Sequence, residues 1–321
     1  MYVKKLIHPE FFQGNKKKNH YFEGWYYKLV SEDESYTLAF IPGVSINKKD
    51  PHAFVQVFIS KTEENETKLS TFYIRYLMTD FSYGHDDFWV RIGKNYFSKD
   101  KISIDIQNDQ VKIFGILTIE GIKPLKKTIL MPNIMGPFGY LNFMECYHGV
   151  VSMNHQLDGI FKINDHMVSF HDGKGYIEKD WGKSFPRAYV WLQSNHFKDP
   201  NTSFMFSYAD IPFLGFYFKG LIANLLYQGK EYRFATYNFA KVKKEMIRHQ
   251  DVFYAIKKGK YRLEIYAKST AHIQLASPRN GEMIEQIKEG LSGNIELKLY
   301  RKNELLYQDQ GSHAGIEIMK K

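Results

Sequence analysis

The chain has 321 residues, a formal net charge of +9 and a pI near 9.2, long enough for one large or two ordinary domains with a real core. The basic balance admits nucleic acid, an anionic membrane or acidic ligands as partners. The lysines are scattered, however, and the densest run, Lys16-Lys17-Lys18 beside His20, comes without a basic helix or reader motif, so no nucleic-acid partner is expected. One cysteine, Cys146, excludes an internal disulfide and fits a reducing compartment; its apolar, strand-like setting reads as an inert buried thiol.

Met1 to Glu10 contains no apolar stretch of signal-peptide length, and no run approaches the ~20 apolar residues of a spanning helix. The expectation is a soluble, cytoplasmic protein of unknown oligomeric state, for which peripheral contact with a membrane stays open. Tyr and Phe are abundant, a bias toward pleated sheet.

Along the chain, period-two alternation recurs. Ile102, Ile104 and Ile106 share one face before a turn at Asn108-Asp109, and Val111 and Ile113 follow. Phe161 and Ile163 lead through Asn164-Asp165 into Met167 to Phe170. Leu225 to Tyr227 return through Gln228-Gly229-Lys230 as Tyr232 to Phe234. Val252 to Ile256, a turn at Lys258-Gly259, and Tyr261, Leu263 and Ile265 form a further hairpin, and Ile295, Leu297 and Leu299 turn at Lys302-Asn303 into Leu305 to Tyr307. The best helical signal is a short amphipathic stretch of Met283, Ile284, Ile287 and Leu291 before Gly293. So many strands with so few crossovers predict an all-β, antiparallel fold that closes or stacks its sheets to protect their edges. Phe185-Pro186-Arg187 interrupts the pattern, which predicts two packed lipocalin-like β-domains, residues 1–185 carrying the candidate site and 186–321, with a single larger barrel as the alternative.

No dinucleotide fingerprint, P-loop or Gly-x-Ser-x-Gly elbow occurs, so no cofactor is expected. Among the 12 histidines, His148 and His155, and His166 and His171, stand close in sequence, but the second pair lies on opposite faces of a strand, and no metal is expected.

Two segments break ordinary strand grammar. In Tyr21-Phe22-Glu23-Gly24-Trp25-Tyr26-Tyr27-Lys28 a carboxylate sits among five aromatic rings, where lost hydration favours its neutral form. The plainer reading is a first strand filling the core, with Glu23 paired to an arginine such as Arg187. In Gly173 to Arg187, alternation puts Tyr176, Glu178 and Asp180 on one face and Ile177, Lys179 and Trp181 on the other. A phenol and two carboxylates projecting together suit acid–base chemistry; the plainer reading is a solvated acidic face neutralised by Lys179 and Lys183. Downstream, Trp191, Gln193 and Asn195 alternate onto one face, a ring and two amides suited to a cavity wall, though Trp191 alone also reads as core.

These segments resemble the tocopherol cyclase family. Phe22, Glu23, Gly24, Trp25 and Tyr26 match its N-terminal Phe-Glu-Gly-Trp-Tyr. Tyr176, Glu178, Lys179, Trp181 and Gly182, followed by Phe185, Pro186 and Arg187, match its Tyr-x-Glu-Lys-Asn-Trp-Gly and Phe-Pro-Arg, and Trp191, Gln193, Asn195 and Phe197 match the pattern that follows. Gly293 to Leu297 and Ala314 to Ile318 also resemble family segments. Asp180 stands where the family usually has Asn, Lys183-Ser184 replace small glycines, and the long insertions and transit peptide of plant members are missing.

The resemblance implies cofactor-free closure of a chromanol ring, in which a side-chain alkene is protonated and a phenol oxygen traps the cation; related carotenoid hydratases add water instead. It implies that Glu178 donates the proton, that Tyr176 and Trp191 face the cation, each ring contributing about 0.5–2 kcal/mol, and that His148 accepts the returning proton. Glu23, Trp25, Trp181, Arg187, Trp191, Gln193 and Asn195 are then the ligand-binding set, and the partner is a hydrophobic isoprenoid-type small molecule. Two other readings stay open: a lipocalin-like carrier that leaves such a ligand unaltered, and a surface-binding protein using exposed rings such as Tyr83 and Trp89.

Overall fold

The computed structural model describes residues 2–64, 66–249 and 251–319. The expected all-β, lipocalin-like architecture is present: apart from the short helix Tyr2–Ile7 and four single 3-10 turns, the described elements are strands in two antiparallel sheets of 12 and 10 strands. Among the described residues no helix is long and apolar enough to cross a membrane. The chain divides into two compact units, residues 1–185 with 276–286, and residues 186–275 with 287–321. The second half of the sequence thus lends an eleven-residue hairpin to the first unit.

In the first unit, Gly173–Gly182 lies between Tyr21–Val30 and Cys146–Ile163, antiparallel to both. Tyr36–Ile46, His52–Glu63 and Glu66–Tyr76 continue the sheet on one side, and the meander from Phe81 to Glu120 on the other. Tyr21–Val30 and Tyr36–Ile46 are almost wholly buried on both faces, so they read as near-continuous apolar and aromatic runs rather than clean alternation. Trp25, Tyr27, Phe40, Phe97 and Phe161 are fully enclosed, with Phe161 meeting Phe40 and Phe170 edge to face at 5.7 and 5.6 Å.

The second unit has its own core, in which Leu192, Phe204, Phe206, Tyr254, Ile265 and Leu297 are sealed from solvent. Its turns are local: Gln228 and Gly229 both have positive φ, at 49° and 69°, between the paired Tyr227 and Lys230, the two-residue loop whose twist matches that of the strands.

One expectation fails. Met283, Ile284, Ile287 and Leu291 do not form a helix but lie in the strand Glu282–Arg301. Residues 283, 287 and 291 are four apart, an offset that is one helical turn and also an even number of strand steps, so both periods fit them. Ile284, which only the helix would place beside Met283 and Ile287, is 67% exposed. The rings of Tyr83 and Trp89 are half-buried: Tyr83 packs on Phe12 at 4.4 Å and on Phe81, and Trp89 stacks on Tyr96 at 6.2 Å.

At the end of the strand Gly173–Gly182, Gly182 has φ +147°, and a Cβ there would stand 2.2 Å from the Glu145 carbonyl oxygen. Gly182→Ala therefore combines a disfavoured backbone angle with a clash against main chain. Urea unfolding of this variant is expected to show a loss of about 2–3 kcal/mol, against less than about 0.5 kcal/mol for an alanine at exposed, unhindered Lys183.

Candidate active site

Alternation along Gly173–Gly182 sorts its side chains into two clusters. On one face Tyr176, Glu178 and Asp180 follow one another, and the pairing of His148 with Asp180 across the neighbouring strand brings the imidazole between the two carboxylates. His148 Nδ1 and Asp180 Oδ1 are 2.9 Å apart, and His148 Nε2 lies 3.5 Å from Glu178 Oε2. The Tyr176 hydroxyl donates to that same Glu178 oxygen at 2.6 Å. Tyr176 is fully buried and Glu178 nearly so, while His148 and Asp180 retain 13% and 27% side-chain exposure, so the cluster is most open at Asp180.

Burial opposes charge on His148, but the Glu178 and Asp180 carboxylates overcome it and push the imidazole up to about 9. His148 is therefore an imidazolium at neutral pH. Burial, then the charge and hydrogen bond of Glu178, drive the Tyr176 phenol well above its ordinary value, so it stays a hydrogen-bond donor. Asp180, which alternation placed on the face of Tyr176 and Glu178 and which departs from the family's usual Asn, is the residue that orients His148. The solvated acidic face does not exist: Glu178 is 4% exposed, and Lys179 points the other way.

His148, Glu178 and Asp180 also form a group whose ligand-type atoms lie within 4.8 Å of one another. A divalent ion there would have to displace the imidazolium proton, the Asp180 bond and the Tyr176 hydroxyl's hold on Glu178.

The opposite face carries the second cluster. Lys179, fully buried, forms an ion pair with fully buried Glu23 and donates to the carbonyls of Pro9 and Phe11 at 2.7 and 2.6 Å. Its ammonium lies 4.7 Å from the centroid of Trp25 and 4.9 Å from that of Trp181. Burial pulls it down to about 8, against the attraction of Glu23. Glu23 further accepts from Gln13 N at 2.8 Å, Gly14 N at 2.9 Å and the Tyr21 hydroxyl at 2.5 Å, and Trp25 Nε1 donates to the Glu10 carbonyl at 2.7 Å. Glu23 and Trp25, expected in the ligand-binding set, thus fasten the N-terminal segment to the sheet. The partner of Glu23 is Lys179, not an arginine. Period two had already put Lys179 opposite Glu178, a signal that argued against reading it as the counterion of that face.

The remaining residues belong to the second unit. Arg187 pairs with Asp210 at 3.3 Å and stacks on Tyr217 at 3.5 Å. Trp191, Gln193 and Asn195 are a buried row on Tyr189–Ser194 and its continuation, and Asn195 Oδ1 meets His196 Nδ1 at 3.0 Å. Cys146 is half-buried, and burial raises its thiol well above the reactive range.

The buried pair makes a test. Lys179→Met leaves the Glu23 carboxylate without its cation, and equilibrium unfolding is expected to show a loss of about 3–5 kcal/mol. The double variant Lys179→Met/Glu23→Leu is expected to recover part of that loss, the signature of a penalty set by an unpaired charge; a loss equal to the sum of the single variants would show the two side chains acting independently.

Comparison with known proteins gives the same frame. No curated protein matches the chain by sequence. The crystal structure of CghA superposes with a TM-score of 0.62 at 9% identity, covering 93% of this chain and 88% of that one, and its structure with Sch210972 gives 0.61 over the same shares. Kievitone hydratase from Nectria haematococca gives 0.52 at 10% identity, over 97% and 94%. At these identities the likeness is one of fold. The model of the family described as tocopherol cyclase-like matches residues 133–319, more than half of the chain and the part that contains His148, Tyr176, Glu178 and Asp180. The chain belongs to the tocopherol cyclase-like family.

Proposed function

We propose that the protein is a cofactor-free acid–base catalyst that protonates an alkene of a hydrophobic, isoprenoid-type substrate and lets an oxygen nucleophile, the substrate's own phenol or water, trap the cation. The observation that carries this reading is the buried Tyr176–Glu178–His148–Asp180 cluster, in which His148 Nε2 lies 3.5 Å from Glu178 Oε2, close enough for a small shift to hand a proton across. The family supports it, as does the likeness in fold to kievitone hydratase.

In this mechanism Glu178 presents the proton to the alkene carbon and His148 reloads it. Asp180 accepts from Nδ1–H, so that the other imidazole nitrogen faces Glu178, and the Tyr176 hydroxyl steadies the carboxylate that the transfer leaves behind. The new C–H bond takes the alkene's π electrons. The resulting cation accepts an electron pair from the attacking hydroxyl oxygen, and the hydroxyl proton returns to the Glu178–His148 pair. Nothing is oxidised or reduced. Protonating an alkene is steeply uphill, so the acid must work away from bulk water, which the burial of Tyr176 and Glu178 favours.

The test is turnover of prenylated hydroquinones and related isoprenoid alkenes in D2O, with product deuterated at one former alkene carbon. Glu178→Gln is expected to abolish turnover while binding of the same compounds survives. Because His148 is raised to about 9, its proton is present below that pH, and the rate should fall as pH rises through about 9. Asp180→Asn removes one of the two anions that raise it and should move that limb to lower pH. A falling limb in the ordinary carboxylic-acid range, near pH 4, would instead assign the proton to Glu178 alone. Recovery of every bound compound unaltered by the native protein would replace catalysis with carriage.

A further inference from the structure

On the Trp181 side of Gly173–Gly182 the first unit carries a half-open cavity of about 730 Å³, within the range of small-molecule sites, and none of His148, Tyr176 or Glu178 lines it. Its lining is one-sided in charge. Lys5, Lys16, Lys17 and Lys183 are present, and among the described residues that line it there is no Asp or Glu. Lys5 is fixed by bonds to the Phe12 carbonyl at 2.5 Å and Asn15 Oδ1 at 2.9 Å. Burial lowers its pKa; Glu23 counteracts this and Lys16 adds to it.

The rest of the wall combines polar side chains, among them Asn15, Asn19, His20 and Asn142, with flat rings. Tyr147 and Trp181 stack at 5.4 Å with 7° between their planes. Phe143, also in the lining, is 51% exposed. Tyr140, three residues earlier, is 44% exposed and donates to the carbonyl of Ile129, which with Leu130 is 86% and 75% exposed. An apolar surface therefore leads away from the cavity beside its lysines.

We propose that this cavity is a second ligand site, separate from the His148–Glu178 relay, for the oxyanion head of an amphiphile whose apolar part lies along the Tyr147–Trp181 stack and Phe143. Lysines supply compact positive charge for such a head, and the stacked rings supply a desolvated floor for hydrocarbon. The head can come from a free phosphorylated or carboxylated amphiphile or from a lipid in an anionic bilayer.

The experiment is titration of the full-length protein with lysophosphatidic acid, read by isothermal calorimetry. Saturable one-site binding is expected, weakened about tenfold or more by Lys16→Ala/Lys17→Ala, since each cation near an anionic head contributes about a factor of five. Both lysines are exposed, so the variant should unfold at the native urea midpoint and keep its turnover. Phe143→Ser should weaken lysophosphatidic acid but leave inorganic phosphate unchanged. Co-sedimentation separates the sources: retention on phosphatidylglycerol vesicles but not on phosphatidylcholine vesicles assigns the head to a membrane lipid, and soluble binding without retention assigns it to a free amphiphile. Absence of saturable binding, affinity unaltered in the double lysine variant, or inorganic phosphate binding as tightly as lysophosphatidic acid would overturn the proposal.

Discussion

Strand alternation along Gly173–Gly182 separates two charges that could not share one environment. An ammonium at Lys179 and an imidazolium at His148 lie on opposite sides of one sheet, each matched to its own carboxylates, Glu23 on one side and Glu178 with Asp180 on the other. Shifting the register of this strand by one residue would exchange the two sets and leave both cations facing the wrong partners. The register is held from both flanks, by nine consecutive pairs with Tyr21–Val30 and by the bulged ladder with Cys146–Ile163.

The two clusters are built alike and do different work. Lys179 is saturated: it has a carboxylate, two carbonyls and two ring faces around it, and little room for a reactant. His148 is not, because Nδ1 is committed to Asp180 while buried Nε2 faces Glu178 at a longer 3.5 Å without a hydrogen bond. A proton that moves needs a second place to go, and only the His148 cluster provides one. The carboxylate at 180 in place of the family's usual amide adds negative charge beside His148 and strengthens its hold on that proton.

The saturated cluster also reaches the cavity on its own face. Glu23 takes the main-chain N–H groups of Gln13 and Gly14, and Lys179 takes the carbonyls of Pro9 and Phe11, so the segment from Pro9 to Gly14 is tied to the sheet at four points. The turn Gly14–Lys16 follows directly, and with it the lysines of the cavity rim. A buried ion pair contributes modest net stability, since desolvation offsets most of its attraction. What it supplies here is position, because the buried Lys179 ammonium is met by Glu23 and by the Pro9 and Phe11 carbonyls that the segment brings to it.

The sequence by itself determined the strands, their local turns and the composition of each face. Alternation and turn residues act over a few positions, and pairs such as Tyr227 with Lys230 form wherever the chain meets itself. It also placed Tyr176, Glu178 and Asp180 together, since that is a property of one strand. The stretch from Met283 to Leu291 was ambiguous because four-residue spacing satisfies both periods, and only sheet pairing, with the strands Ile273–Arg279 and Glu304–Met319, resolves it. The partners of Lys179 and the seat of His148 between two carboxylates were decided by tertiary structure. Those contacts join residues some 30 to 170 positions apart, and which charge meets which across that distance depends on strand order and register, which hydrophobic pattern alone leaves open.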